Sequence, residues 1–404
     1  MIGPERLPGL VRWNTFVLAA AMALSWSVIQ LAASVAAITM ESLSGSSASA
    51  GLAPAVFVLA FGLATIPAGR FMDRRGRVPG ISIGFAVAGT GALAVFAMTT
   101  IGSPLGYLSA LAVLGAGLGI VNLARVAAAD MYPPERRAGG VGLVLVGAAA
   151  GAILGPVVFG PLLAGDGALA VTWLAAAGVA LFGALAIHVI RVDPLQIARA
   201  RGGVVSAAGR RSMRVIFSAE GPRAAAVAIV ATQVVMTSLM LLAGLELHHR
   251  GHGLPEISGA LAAHFFGMFA LSPVIGRAVD RVGRRSSLLV GGTLLALSAA
   301  ALPAAPGAAG MAIALFGIGV GWNIAFVGGT ALLADETGPE ERAGALGAVD
   351  LLNAFGSSAG AAIATAVLGV VGLGIVVAGC LAALALPLLF LARRQRVGVA
   401  GEVT

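Results

Sequence analysis

The segment Gly69-Arg70-Phe71-Met72-Asp73-Arg74-Arg75-Gly76-Arg77 recurs later in the chain as Gly276-Arg277-Ala278-Val279-Asp280-Arg281-Val282-Gly283-Arg284. Gly, Arg, Asp, Arg, Gly and Arg keep their places, and each copy follows the second apolar stretch of its half. A second pair keeps the same register. Asp130-Met131-Tyr132-Pro133-Pro134-Glu135-Arg136-Arg137-Ala138-Gly139 follows the fourth apolar stretch of the first half. Asp335, leading through Pro339-Glu340-Glu341-Arg342-Ala343-Gly344, follows the fourth of the second. Two matched pairs in one register mark an internal duplication, so the two halves are expected to share one architecture.

The surroundings of the repeat give its solvent. The chain has 404 residues, 59% hydrophobic and only 10% charged, where soluble domains carry about 25% charged residues. Apolar stretches long enough to span a bilayer, about 20 residues each, fall at 14–39, 51–69, 79–100, 105–128, 140–164 and 168–190, and again at 224–247, 257–276, 286–303, 308–332, 343–368 and 370–392. The expected fold is therefore an all-α integral membrane protein of twelve spans in two six-helix bundles. The first bundle is 1–190 and the second 224–404, joined by a polar linker at 191–223. The first apolar run, Trp13 to Met40, is too long for the core of a signal peptide.

All 25 basic residues are Arg, and the net charge is +8. Such a balance invites a nucleic-acid reading, but the placement of the charges removes it. The arginines gather in alternate loops: Arg6 and Arg12, Arg70 to Arg77, Arg136 and Arg137, the linker, Arg277 to Arg285, Arg342, and Arg393 to Arg396. The opposite loops hold Arg250 alone. By the positive-inside rule both termini are cytoplasmic, and the expected partner is the lipid bilayer. Arg125, near the end of the fourth span, is expected to snorkel to the inner face. The lone Cys380 excludes an internal disulfide.

Chemistry concentrates in the stretch Gln233 to Met268. Met236 and Met240 lie four residues apart on the seventh span, and His264 and Met268 four apart on the eighth. Positions i and i+4 share a helix face. With the first helix ending near Leu247 and the second starting near Ile257, Met240 falls level with His264, and Met236 with Met268. Thioether and imidazole together suit monovalent copper. Packing also fits, because Met fills gaps in apolar helices. An imidazole in mid-membrane, however, is rare and points to function. His248, His249 and His252 beside Glu246 form an outer loop able either to capture a metal or simply to turn the chain near the headgroups. His188 sits at the inner end of the sixth span. Asp350 is the clearest intramembrane acid, fit for coupling or for capping. Asn122, Asn323 and Asn353 are placed to line a cavity or bridge helices, and Trp26 and Trp322 to pack. No phosphate-cradling loop, His-Glu-x-x-His or nucleophile triad is present, so an ATP-driven pump and an enzyme are both disfavoured.

The G-x-x-x-D-R-x-G-R segments resemble the signature of the major facilitator superfamily. Gly147, Gly151, Gly155-Pro156 and Gly160-Pro161 look like the Gly-Pro motif of its proton-coupled antiporters, although Leu111 stands about where those carry an Arg. The resemblance implies alternating access, with the substrate site between the bundles near the midplane. It also implies a gate: Gly69 and Asp73 against the inner end of span eleven, Arg77 near Asp130, Asp280 against span five, and Arg284 near Asp335. More narrowly, Met236-x-x-x-Met240 with His264-x-x-x-Met268 is similar to the paired motifs of CcoA-type copper importers of the bacterial inner membrane. That resemblance implies a monomeric carrier with copper as cargo and no resident cofactor. The rival expectation is proton-coupled efflux or uptake of small organic compounds.

Overall fold

The computed structural model describes residues 7–45, 49, 52–159, 168–201, 211–252 and 254–401. Arg6, the Gly160-Pro161 pair, the 202–210 part of the linker and the side chain of His248 lie outside the described residues. Every long element is helical. In order they are α1 (Leu7–Ser44), α2 (Leu52–Arg75), α3 (Arg77–Ile101), α4 (Pro104–Asn122), α5 (Ala124–Met131), α6 (Arg137–Phe159) and α7 (Ala168–Ala186). Two short helices, α8 (Pro194–Ala200) and α9 (Met213–Ser218), belong to the linker. Then come α10 (Glu220–His249), α11 (Leu254–Phe269), α12 (Ser272–Val282), α13 (Arg284–Ala301), α14 (Gly307–Asp335) and α15 (Arg342–Gly401). Helices satisfy their own backbone polar groups, which hydrocarbon cannot do for them.

Among the described residues, nine helices are long and apolar enough to cross a membrane, or ten with the bent α11–α12 pair counted as one. The last two of the twelve expected spans fall within α15, which Gly372 interrupts at φ 75°, ψ 166°. Two single spans of the sequence reading are broken. Leu123 separates α4 from α5. The eighth span bends by 42° between α11 and α12, where Pro273 in the first turn of α12 cannot donate a backbone hydrogen bond and so ends the preceding ladder.

The chain forms two compact units by contact. The first holds Met1–Pro133, Leu143–Arg211 and Thr337–Ala354; the second holds Pro134–Gly142, Ser212–Glu336 and Phe355–Thr404. In the first, α3 packs on α4 and α7, and α2 on α4. The backbones come close there because small residues line the seams. A Cβ on Gly119 would stand 2.1 Å from the Phe61 carbonyl, and one on Gly147 1.9 Å from that of Ala19. In the second unit α14 is the central helix, covered by α10, α11 and α13. A Cβ on Gly321 of α14 would stand 2.5 Å from the Leu295 nitrogen of α13.

Candidate functional site

The repeated loops build two versions of one cluster. In the first unit the Asp73 carboxylate, at the end of α2, accepts from the backbone N–H groups of Ala343 (3.1 Å) and Gly344 (2.9 Å) in the first turn of α15. An anion there satisfies orphan donors and complements the helix dipole. Arg77 is fully buried. It donates to Asp73 (2.7 Å), to Asp130 (2.6 Å) and to the Pro339 carbonyl (2.8 Å). Arg342 completes the set by donating to Asp130. In the second unit Asp280 accepts from Ala138 (3.1 Å) and Gly139 (2.7 Å) at the start of α6. Arg284 pairs with Asp280 (2.7 Å) and Asp335 (3.2 Å) and donates to the Pro134 carbonyl. Arg137 pairs with Asp335.

Arg137 and Arg342 stand in the repeated segments and mark the topology, but the sequence alone gives them no place in the gate. Their matched places in the repeat were the missed signal, since each pairs with the repeat aspartate of the other copy.

Gly69, one turn before Asp73, lets this contact close. A Cβ there would meet the Ala343 carbonyl oxygen at 2.4 Å and the Gly344 nitrogen at 2.8 Å. A Gly69→Val variant should push α15 away and strip Asp73 of its two amide donors. The check is alkylation of an introduced Ala343→Cys in a Cys380→Ser background, Ala343 being fully buried. Fast labelling is expected once Gly69→Val is added and slow labelling while Gly69 is kept; equal rates would show that Gly69 does not control this contact.

Arg125 does not snorkel. It is 1% exposed and pairs with Asp350, 6% exposed, at 2.5 Å. A second donor reaches the Asn122 carbonyl at 3.1 Å. Opposite charge in a low-dielectric interior outweighs the pull of a distant interface. The other Asp350 oxygen, Oδ2, and Asn353 Oδ1 are buried with no hydrogen-bond partner among the described residues. They lie three residues apart, on one face of α15.

The second unit holds the methionine and histidine group. His264 is fully buried and Met236 is 2% exposed. His264 Nδ1 lies 2.8 Å from the Leu315 carbonyl, and Nε2 lies 3.3 Å from Met236 Sδ. A carbonyl only accepts, so in the neutral ring Nδ1 carries the proton and Nε2 turns its lone pair to the sulfur. An outer hydrogen bond that fixes ring and tautomer is how metal-binding histidines are generally held. Glycines make the arrangement possible: a Cβ on Gly319 would stand 2.5 Å from the His264 carbonyl, and one on Gly267 2.5 Å from that of Phe316.

The depth count from the turn paired His264 with Met240; the structure pairs it with Met236. The count assumed two helices lying side by side, whereas α10 and α11 pack chiefly on α14. Met240 is half-buried, and Met268, a turn beyond His264, is 5% exposed. Beside the pair, Trp322 stacks on Phe326 (centroids 4.6 Å, 17°) and meets Phe269 edge-on (5.8 Å, 81°). Its Nε1 donates to Gln233 Oε1 at 2.8 Å. Asn323 is buried and donates to Ser272 at 3.0 Å, bridging α14 and α12.

Within the outer-loop group Glu246 pairs with Arg250 (2.8 Å) and His252 with Glu256 (2.9 Å). His188 meets Ser82 Oγ at 3.0 Å. No group of three or more His, Cys, Asp or Glu able to hold a metal occurs among the described residues.

The family model described as Major Facilitator Superfamily matches residues 15–259 and 224–402. The chain belongs to the major facilitator superfamily. It is a multi-pass membrane protein with the all-helical fold of that superfamily, whose members are secondary transporters and not, in general, enzymes. The chain is 31% identical over 374 residues to YdeG of Bacillus subtilis, an uncharacterized MFS-type transporter, covering 89% of this chain and 86% of the relative. It is 29% identical over 353 residues to the riboflavin transporter RfnT of Brucella anthropi, covering 84% and 85%. In structure it is similar to the human organic anion transporter MFSD10, with a TM-score of 0.76 at 16% identity over 96% of this chain and 100% of that one. That likeness concerns the fold alone. No name among these relatives points to copper.

Proposed function

We propose that this secondary transporter carries copper into the bacterial cytoplasm by alternating access, as a monomer without a resident cofactor, its termini on the cytoplasmic side of the inner membrane. One observation carries the reading: Nε2 of His264, the ring nitrogen left unprotonated when Nδ1 donates to the Leu315 carbonyl, lies 3.3 Å from the thioether of Met236, both side chains buried. Two soft or borderline lone pairs aimed at each other without a proton between them suit a monovalent soft cation. At 3.3 Å the pair is collapsed. Metal bonds of about 2.0 Å to nitrogen and 2.3 Å to sulfur need a wider gap, so an ion enters by swinging the thioether aside, which its rotatable bonds allow. Met240 and Met268, one turn away on each helix, serve as the next ligands along the path. Neutral ligands hold the ion without adding charge and release it more readily than a closed thiolate site.

Asp73, Arg77, Asp130, Asp280, Arg284 and Asp335 act as the gate, whose ion pairs form and break as the carrier cycles. Asp350 acts as the coupling group. Its Asn variant keeps the shape and loses the charge. Uptake by Asp350→Asn is expected to lose the part of its pH dependence that protonation of His264 does not supply; a pH profile like that of the parent would remove Asp350 from coupling.

The relative RfnT and the Trp322–Phe326 stack favour a second reading, transport of a planar organic compound over an aromatic shelf with Gln233 as a polar contact. Cellular accumulation separates the two. Cells producing the protein are expected to gain copper over cells without it and to show unchanged riboflavin. Riboflavin gain without copper gain would establish the second reading.

A further inference from the structure

A cavity of about 320 Å³ lies where the α2–α3 junction meets the linker, lined among others by Arg74, Arg75, His188, Asp193 and Arg199. That volume is within the range of small-ligand sites. Arg74 and Arg75 are exposed and make no hydrogen bond or ion pair among the described residues. Arg199 is shared with Glu340 at 2.7 Å. The one carboxylate of the cavity is already engaged. Asp193 Oδ1 accepts from Arg77 N (3.1 Å) and Leu195 N (2.8 Å), and Oδ2 from Val78 N (2.9 Å). It thereby caps α8 and α3 at once, and its charge is spread over backbone donors. What faces the opening is an excess of guanidinium, the group whose planar fork fits phosphate oxygens.

A second observation fixes the level of the cavity. Trp13 Nε1 donates to the carbonyl of Val189 at 3.0 Å, between the lining residues His188 and Ile190, and Arg191 lies over the Trp13 ring, 5.5 Å from its centroid. Trp13 is 37% exposed and Phe16 67%. Exposed aromatics at a span's end mark the headgroup layer. The cavity therefore opens among headgroups, at the arginine-rich end of the spans.

We propose that this cavity binds a phosphate group, and that its source is the headgroup of an anionic phospholipid. Seated between Arg74 and Arg75 in the last turn of α2 and Arg199 of α8, the phosphate ties the linker helix to the α2–α3 junction that carries Asp73 and Arg77. Lipid composition would then act on the gate.

The test is native mass spectrometry of the full chain from nanodiscs of equal parts phosphatidylcholine and phosphatidylglycerol. The protein is expected to retain phosphatidylglycerol preferentially. Retention should fall about fivefold for each arginine removed in Arg74→Gln/Arg75→Gln. It should stay at the parent level in Arg281→Gln, the matched position of the second repeat. An Arg74→Lys/Arg75→Lys variant should keep most of the retention and shows that the junction still folds. Equal retention by the Gln double variant and the parent would overturn the site. A parallel arm offers millimolar inorganic phosphate to protein in phosphatidylcholine alone. Protection of the parent against heating by free phosphate, with no gain from phosphatidylglycerol, would overturn the lipid as source.

Discussion

Arg125→Met is expected to destabilise the protein by about 3–5 kcal/mol, the usual result of removing one partner from a buried ion pair. The side chain that remains, Asp350, is 6% exposed, and its Oδ2 already lacks a hydrogen-bond partner among the described residues. Without the guanidinium at 2.5 Å it must take up a proton or stay charged in a low-dielectric interior, and either costs free energy. The double variant Arg125→Met/Asp350→Leu removes both charges together and should recover most of the loss, because well-packed apolar residues often replace a buried pair at no net cost. Unfolding midpoints in detergent for the two single variants and the double variant give the coupling between the sites. Strictly additive losses would show that the pair contributes nothing as a pair. Transport supplies the second readout: the refolded double variant should be stable and inactive if Asp350 couples, and active if the pair only holds α15 in place.

The second large effect lies at His264. His264→Ala opens a cavity and removes the imidazole's hydrogen bond to the Leu315 carbonyl, so it should cost about 2–5 kcal/mol and abolish copper uptake. Met236→Leu is the sharper probe. It keeps most of the volume and removes the sulfur, so its stability cost should stay below about 1.5 kcal/mol. A carrier that uses the sulfur then folds normally and fails to take up copper. One in which Met236 only packs keeps its uptake. Acid should weaken copper binding in the parent, since a second proton on the ring occupies Nε2.

Much of the frame could be read from the chain. The duplication stood in the Gly69–Arg77 and Gly276–Arg284 segments, whereas the helices that the repeat aspartates meet came only from the resemblance to the superfamily. Local periodicity finds spans but not tilts. For that reason the Met236–His264 pairing was one turn off: the depth count knew nothing of α14, on which both helices lean. The bend at Pro273 was visible as a residue, but not as an angle. Arg125 was misplaced because snorkelling is judged from the nearest interface, and a partner more than two hundred positions away cannot be seen in a local window. Asp193 carried no signal beyond a common Asp-Pro helix start. That one carboxylate caps two helices follows from the approach of the linker to the start of α3, which no spacing in the sequence encodes.

The most direct measurement is uptake of radiolabelled monovalent copper into proteoliposomes holding the purified parent or Met236→Leu, matched for the amount of folded protein. Time-dependent uptake by the parent and background uptake by Met236→Leu is the result this account predicts. Equal uptake by the two proteins, or uptake of riboflavin but not copper by the parent, would contradict it.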